Sequence, residues 1–243
     1  MCIRDSIGIP SVNESYITTD QGQSFQRFPW TYARFIVEIQ TEENTDDFYF
    51  TDGKLIYRYD ETTASAALIH DNSAYGTVKR GVLLKNGEKL IIYYESGKTF
   101  IGRFDTNGGL IISKVIHDGW VNVELLYQEG FPSYIAKSTT GRVVKTMLSF
   151  NPNSLSLGNE FVITASITGM RYLNGRLFSS NEFSDDGGVT WTEISSPVDV
   201  RWGTSIDILE NQIVIICPDH ILYSSDSGTV SYTHLTLPTT PYV

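Results

Sequence analysis

Residues Ser184–Trp191 read SDDGGVTW. Two other stretches answer it in part: Thr18–Phe25 reads TTDQGQSF, and Ser224–Gly228 reads SSDSG. The shared order is a hydroxyl residue, an aspartate two positions on, a glycine two further, then a second hydroxyl and an aromatic ring. Each residue type has a use in a tight turn. The aspartate carboxylate accepts hydrogen bonds from N–H groups of its own turn. Glycine reaches positive φ without strain, and the ring fills the gap between neighbouring strands.

The spacing of these stretches sets the architecture. Asp186 and Asp226 lie 40 residues apart, and Asp20 and Asp186 lie 166 apart, close to four times 41. Intermediate copies are expected near 60, 103 and 145. Asp60 in YRYDETT and Asp105 in GRFDTNGG stand at the first two places. Near the third lie KSTTGR (Lys137–Arg142) and NPNSLSLGN (Asn151–Asn159), and the pattern does not choose between them.

Between these points the chain has one texture. Gly81–Ile116 reads GVLLKNGEKLIIYYESGKTFIGRFDTNGGLIISKVI, short runs of Val, Ile, Leu, Tyr and Phe separated by NG, SGK and TNGG. That is strands joined by hairpin turns, four to a unit. Ser205–Gly228 supplies three more strands, and sustained helical periodicity is absent. Repeats of about 40 residues with four strands each predict a β-propeller. The expected fold is all-β, with five to six four-stranded antiparallel blades present and the propeller incomplete.

The order S-x-D-x-G-x-[ST]-[WF] resembles the Asp-box, or bacterial neuraminidase repeat, of the sialidase-like propellers. Ser184, Asp186, Gly188, Thr190 and Trp191 match it fully. Thr18, Asp20, Gly22, Ser24 and Phe25 match with permitted substitutions, and Ser224, Asp226 and Gly228 match as far as they run. The resemblance implies a structural turn that faces away from the ligand side, so Asp186 is not a catalytic candidate. Propellers with this box include sialidases, xyloglucan-cleaving glycosidases, sortilin-type receptors, photosystem assembly factors and phage tail proteins. Fold alone does not select among them. Sialidases carry an Arg-Ile-Pro motif, and here Ile9-Pro10 follows Gly8 instead. No catalytic residue is assigned.

Both ends read as foreign. MCIRDS (residues 1–6) and VSYTHLTLPT (residues 230–239) are translations of reverse-complementary DNA, and resemble a transposase-type sequencing adapter at the two ends of an insert. The expected boundaries are adapter-derived residues 1–6 and 230–243 around a propeller fragment at 7–229. Cys217, in the apolar run QIVIICP, is then the one native cysteine, which excludes an internal disulfide framework. The net charge of −10 opposes sequence-independent nucleic-acid binding, which needs a positive surface. No apolar run approaches the roughly 20 residues of a membrane helix. No cofactor is expected.

Candidate ligand contacts come from topology. If the box joins the third and fourth strands of each unit, the opposite rim carries the connections PWTYAR (Pro29–Arg34), AYGTVKR (Ala74–Arg80), HDGW (His117–Trp120) and VDVRW (Val198–Trp202). Arg34, Arg80, Trp120, Arg201 and Trp202 recur at similar distances after successive box positions. Arginine grips a carboxylate through two parallel hydrogen bonds, and tryptophan stacks on a sugar or a cation. The expected activity is binding of a glycan or protein ligand on this axial face. An exo-acting, sialidase-type glycosidase and a structural module of a phage tail or secreted protein are the alternatives. The expected setting is extracellular, cell-surface or virion. His70, His117 and His220 lack metal-ligand spacing, and no metal site is expected.

Overall fold

A computed structural model of the chain describes residues 48–60, 63, 65–138, 145–163, 167, 170–173, 175–179 and 182–194, together with the backbone of eight flanking strand segments between residues 7 and 224. The chain divides into two compact units, Met1–Trp120 and Val121–Val243. Among the described residues every regular element is a strand.

In the first unit, β1 (Ile7–Ile9), β2 (Glu14–Ile17) and β3 (Gln26–Arg27) form one antiparallel sheet. The second sheet runs β4 (Val37–Glu38), β6 (Phe48–Thr51), β7 (Leu55–Asp60), β8 (Ser65–Asp71). Between β4 and β6 lies β5 (Gln40–Thr41), which pairs parallel to the first strand of the third sheet. That sheet continues β9 (Thr77–Leu83), β10 (Lys89–Glu95), β11 (Lys98–Phe104), β12 (Leu110–Asp118). One short stretch of chain thus pairs with β6 through Val37 and Glu38, and with β9 through Gln40 and Thr41. The first strands of these two successive sheets thus run parallel where they meet.

In the second unit, β13 (Asn122–Leu126), β14 (Ser133–Ser138), β15 (Lys145–Phe150) and β16 (Leu157–Ile163) make a four-stranded antiparallel sheet. A further sheet contains β17 (Arg171–Leu173), β18 (Arg176–Ser179), β19 (Glu182–Ser184) and β20 (Thr192–Glu193). The last contains β21 (Ser205–Leu209), β22 (Gln212–Ile216) and β23 (Ile221–Ser224). The fold class is the one the spacing predicts: an all-β propeller built of antiparallel blades.

Blades bury both faces, so their middle strands are apolar throughout rather than alternating. In β10 the residues Lys89 to Tyr93 are all buried, and Leu90, Ile91 and Ile92 are 0–1% exposed. One face joins a cluster of Ile56, Val78, Ile91, Tyr93 and Phe104, contributed by two successive blades. In the second unit Tyr134, Ala136 and Met147 pack against Met170, Tyr172 and Leu177 of the next blade. A fully buried Ile, Leu, Met or Phe among them contributes about 1.5–3 kcal/mol on removal from water.

The hairpins carry the turn chemistry that the sequence shows. Between β10 and β11 only Ser96 and Gly97 lie outside the ladder, at φ 49° and 80°. That is the positive pair a two-residue hairpin of this twist needs. The turns between third and fourth strands hold the aspartates of the repeat grid. Asp60 Oδ1 accepts from Thr63 N at 3.3 Å. Asp105 Oδ1 accepts from Asn107 N and Gly109 N, both at 2.8 Å. In the fourth blade the turn is Asn151–Ser156, so NPNSLSLGN and not KSTTGR occupies the equivalent place. Asn151 Oδ1 accepts from Asn153 N at 2.9 Å and Ser154 N at 3.1 Å. Leu155, at φ 48°, is the fully buried plug beneath it.

The Ser184–Trp191 turn joins β19 to β20 and is the most heavily bonded of these. Asp186 Oδ2 accepts from Thr190 Oγ1 at 2.6 Å, and Oδ1 accepts from Thr190 N at 2.9 Å, Ser184 Oγ at 2.7 Å and Val189 N at 3.0 Å. Ser184 Oγ accepts in turn from Gly188 N at 2.8 Å. The Trp191 ring packs on the core of this unit and donates from Nε1 to the Gly188 carbonyl at 3.0 Å. Gly188 sits at φ 92°, and a Cβ there would collide with the Met147 methyl. The Thr18–Phe25 stretch lies between β2 and β3, and Ser224 ends β23. Thr18, Asp20, Gly22, Ser24, Phe25, Asp226 and Gly228 fall outside the described residues.

The hydrogen bonds from Thr190, then Ser184, hold the Asp186 carboxyl down at about 2, against an ordinary 3.8. A depressed carboxylate stabilises the fold above its ordinary value, and that contribution is lost as pH falls through the folded value. Asp186→Asn is therefore expected to melt below the wild type at pH 6, with the gap closing as pH approaches 2. Circular-dichroism melts across that range check it, and a pH-independent gap contradicts the assignment. Gly188→Ala and Gly175→Ala separate backbone strain from collision. Gly175 is at φ 81° with open space around it, so alanine there costs about 1–2 kcal/mol from its left-handed backbone alone. Gly188→Ala is expected to cost about 1–3 kcal/mol more, from the added overpacking against Met147 and Leu177. Equal losses in chemical denaturation would remove the packing role of Gly188.

Candidate functional site

The described part of the predicted ligand face lies at one end of the third blade. The Asp105 turn closes β11 and β12 at one end of this sheet, so the Ser96–Gly97 turn, the start of β9 and the end of β12 share the other. Asp118, the last residue of β12, pairs with Lys98. Trp120 follows it, at the end opposite Asp105, as the topological reading expects. Arg80 is not in a connection: it is a strand residue of β9, paired with Ile92. Arg34, Arg201 and Trp202 lie outside the described residues.

Trp120 is 49% exposed and does not stand alone. Lys79 Nζ sits 3.3 Å above the centre of its ring. Tyr94 meets it edge-on, with ring centroids 4.9 Å apart. Two backbone devices make this arrangement. The β9–β10 register slips between Ile92 and Tyr93, and Lys79 is the extra residue. Such a bulge re-aims the side chain it carries. At the far side, Gly119 takes φ 117°, and its carbonyl accepts from Thr99 Oγ1 at 2.8 Å, which fixes where Trp120 begins.

The start of β9 is braced from below. Asn72, fully buried, donates from Nδ2 to the Gly76 carbonyl at 2.9 Å, and its own carbonyl accepts from Gly76 N at 3.0 Å. A Cβ on Gly76 would collide with the Tyr94 carbonyl oxygen, so glycine lets the two strands close. His70 Nε2 lies 3.3 Å from Asn72 Oδ1, and burial pushes the His70 imidazole down. That histidine belongs to the packing between blades, edge-on to Phe104 at 4.8 Å.

The cluster sets Lys79 on an aromatic face, with Arg80 next to it along β9. Arg80 donates from its guanidinium to the Lys79 carbonyl at 2.9 Å. Burial, then the Arg80 charge, lower Lys79 to about 8. Lys79 and Tyr94 carry no periodic signal in the sequence. The bulge that turns Lys79 onto Trp120 is set by the pairing of β9 with β10, which a linear pattern does not contain. Among the described residues no group of three or more metal-ligating side chains comes together.

Trp120 covers Lys79, so removing the ring rehydrates the ammonium. In Trp120→Ala the Lys79 amine is expected to titrate well above 8, toward its ordinary 10.5. An NMR titration of ¹³C-labelled lysine side chains reads this directly. An unchanged titration would show that other groups desolvate Lys79.

Comparison with known proteins adds a fold and stops there. No family model matches the chain, and no curated protein matches it. Among solved structures, "YCF48 bound to D1 peptide" is similar at TM-score 0.55 and 16% identity, over 92% of this chain and 76% of that one. A protein of unknown function from Bacteroides caccae is similar at TM-score 0.60 and 10% identity, over 94% and 92%. TolB from Acinetobacter baumannii is similar at TM-score 0.54 and 12% identity, over 93% of this chain and 61% of that one. At these identities the likeness carries the fold, and the chain is in fold a β-propeller.

Proposed function

We propose that this chain is a propeller module that binds a peptide segment of a protein ligand, through an acidic side chain or terminal carboxylate, at the end of the third blade built by Lys79, Arg80, Tyr94 and Trp120. One observation carries the reading. In a chain of net charge −10, Lys79 lies over the ring of a half-exposed tryptophan at the edge of a blade, and the Arg80 guanidinium bonds to the Lys79 carbonyl. Packing alone does not call for a lysine held over an exposed ring. A carboxylate would meet the local reversal of sign, and the ring would add apolar contact, as aromatic and arginine anchors do at interfaces. Arg34, Arg201 and Trp202, which lie outside the described residues, recur at matching distances after their own turns and are proposed as further ligand contacts.

The similarity to a structure described as YCF48 bound to D1 peptide supports a peptide over a sugar for this fold. The turn chemistry of Ser184–Trp191 supports the further reading of an Asp-box propeller. In that reading the boxes hold blades together, and the ligand lies on the other side.

The test uses two labelled octapeptides, one rich in Glu and one with Gln at the same positions, and follows tryptophan fluorescence and anisotropy. The acidic peptide is expected to bind, and to bind more weakly as salt rises, because part of the attraction is screened Coulomb energy. Trp120→Ala and Arg80→Ala are each expected to weaken it about tenfold, a loss of about 1.4 kcal/mol. Equal binding by wild type and both variants refutes the site. Selective binding of a carboxylated oligosaccharide, with no peptide binding, would replace the peptide by a glycan.

A further inference from the structure

The fourth blade carries a concavity that the reading above does not use. Its volume is about 430 Å³, within the usual range for small-molecule and side-chain pockets, roughly 300–1,000 Å³. It lies at the end of the sheet where β13 turns into β14 and β15 turns into β16. Tyr127, Glu129, Phe131 and Pro132 come from the first turn, and Asn151 and Pro152 from the second.

Both walls are pre-formed. Phe131 N donates to the Gln128 carbonyl at 3.1 Å, and Phe131 stacks on Tyr172 of the next blade at 5.1 Å. Tyr172 also donates from its hydroxyl to the Pro132 carbonyl at 2.9 Å. The second wall is the Asn151 turn, closed by its own amide and by Asn151 N donating to the Ser156 carbonyl at 3.0 Å. Leu155 is held beneath that wall at positive φ, away from the opening. A ligand would not need to order either turn, so little affinity is lost to loop entropy.

The charge of the walls selects the ligand. No lysine, arginine or histidine lines the concavity, and Glu129 is its one formal charge. The whole chain is acidic, which draws cations toward it. Tyr127 and Phe131 supply aromatic surface of the kind that attracts a guanidinium or ammonium. Pro132 and Pro152 add rigid apolar edges. We propose that this pocket binds an arginine or lysine side chain of a peptide, with the Glu129 carboxylate facing the charge and the aromatic side chains facing the aliphatic stem. It is a second site, opposite in sign to the Lys79–Trp120 cluster, and does not depend on that cluster binding anything.

The probe is the blocked pentapeptide Ac-Gly-Pro-Arg-Pro-Gly-NH₂, with glutamate in place of arginine as the control. Amide NMR shifts of Gly130 and Gly158, which border the pocket, report where binding occurs. The arginine peptide is expected to shift both amides saturably, and the glutamate peptide to shift neither. Glu129→Gln and Tyr127→Ala are each expected to weaken binding about fivefold or more, and Glu129→Lys to abolish it. Glu193→Gln removes the same charge at a different exposed place, on β20, and is expected to leave binding unchanged. Equal losses in Glu129→Gln and Glu193→Gln would mean attraction to an acidic surface only, and overturn the site. So would an absence of shifts at millimolar peptide, or shifts at these amides caused by a neutral oligosaccharide but not by the peptide. Because Glu129→Gln alters an exposed side chain, it tests the proposal even if Tyr127→Ala fails to fold.

Discussion

Within each unit, successive blades cover one another among the described residues, because a strand buried on both faces cannot be satisfied by its own sheet. Strand β10 shows the constraint most directly: Leu90, Ile91 and Ile92 are all shut away from water although they point alternately to opposite faces. One face is covered by Ile56 from the preceding blade. In the second unit, Met147 and Ala136 are covered by Met170, Tyr172 and Leu177 of the blade that follows. The fold is therefore a sum of interfaces between repeats. A blade removed from its neighbour would expose a continuous apolar surface.

The turns between third and fourth strands perform one task with different chemistry. A side-chain oxygen gathers the N–H groups of a tight turn that no ladder bond reaches. In the fifth blade it is the Asp186 carboxylate, helped by Ser184 and Thr190. In the third it is Asp105, and in the fourth the neutral amide of Asn151 does the same. The residue beneath the turn also changes, from the ring of Trp191 to the fully buried Leu155. The physical requirement is a small acceptor above and an apolar plug below. Several residue pairs meet it, which is why the repeat drifts in sequence while its hairpin persists.

The two concentrations of chemistry lie where this scheme leaves room. Lys79 is raised onto Trp120 by a bulge in β9, a local departure from regular pairing. The fourth-blade concavity forms where the β13–β14 turn is drawn onto Tyr172 of the next blade. Both are bordered by turns, whose residues are not committed to a buried sheet face. They differ in sign, with Lys79 and Arg80 at one and Glu129 at the other.

Much of the architecture was legible in the residues. Short apolar runs broken by NG, SGK and TNGG specify hairpins, since few residues other than glycine and asparagine take positive φ. The recurrence of acids at about 40 residues marked the third-to-fourth turns at Asp60, Asp105 and Asp186. The order of strands within each blade follows from those two facts. The fourth-blade turn was legible only as a choice between two stretches, because Asn151 replaces the acid and shifts the spacing. Tertiary structure chose Asn151–Ser156 through the pairing of β15 with β16. Trp120 could be placed at its end of the blade from topology alone. That Lys79 covers it, that Arg80 is a strand residue, and that Tyr127 and Asn151 share one hollow could not be read from the chain. Each depends on the register between strands brought together from distant positions, and a one-residue slip in that register redirects every side chain beyond it.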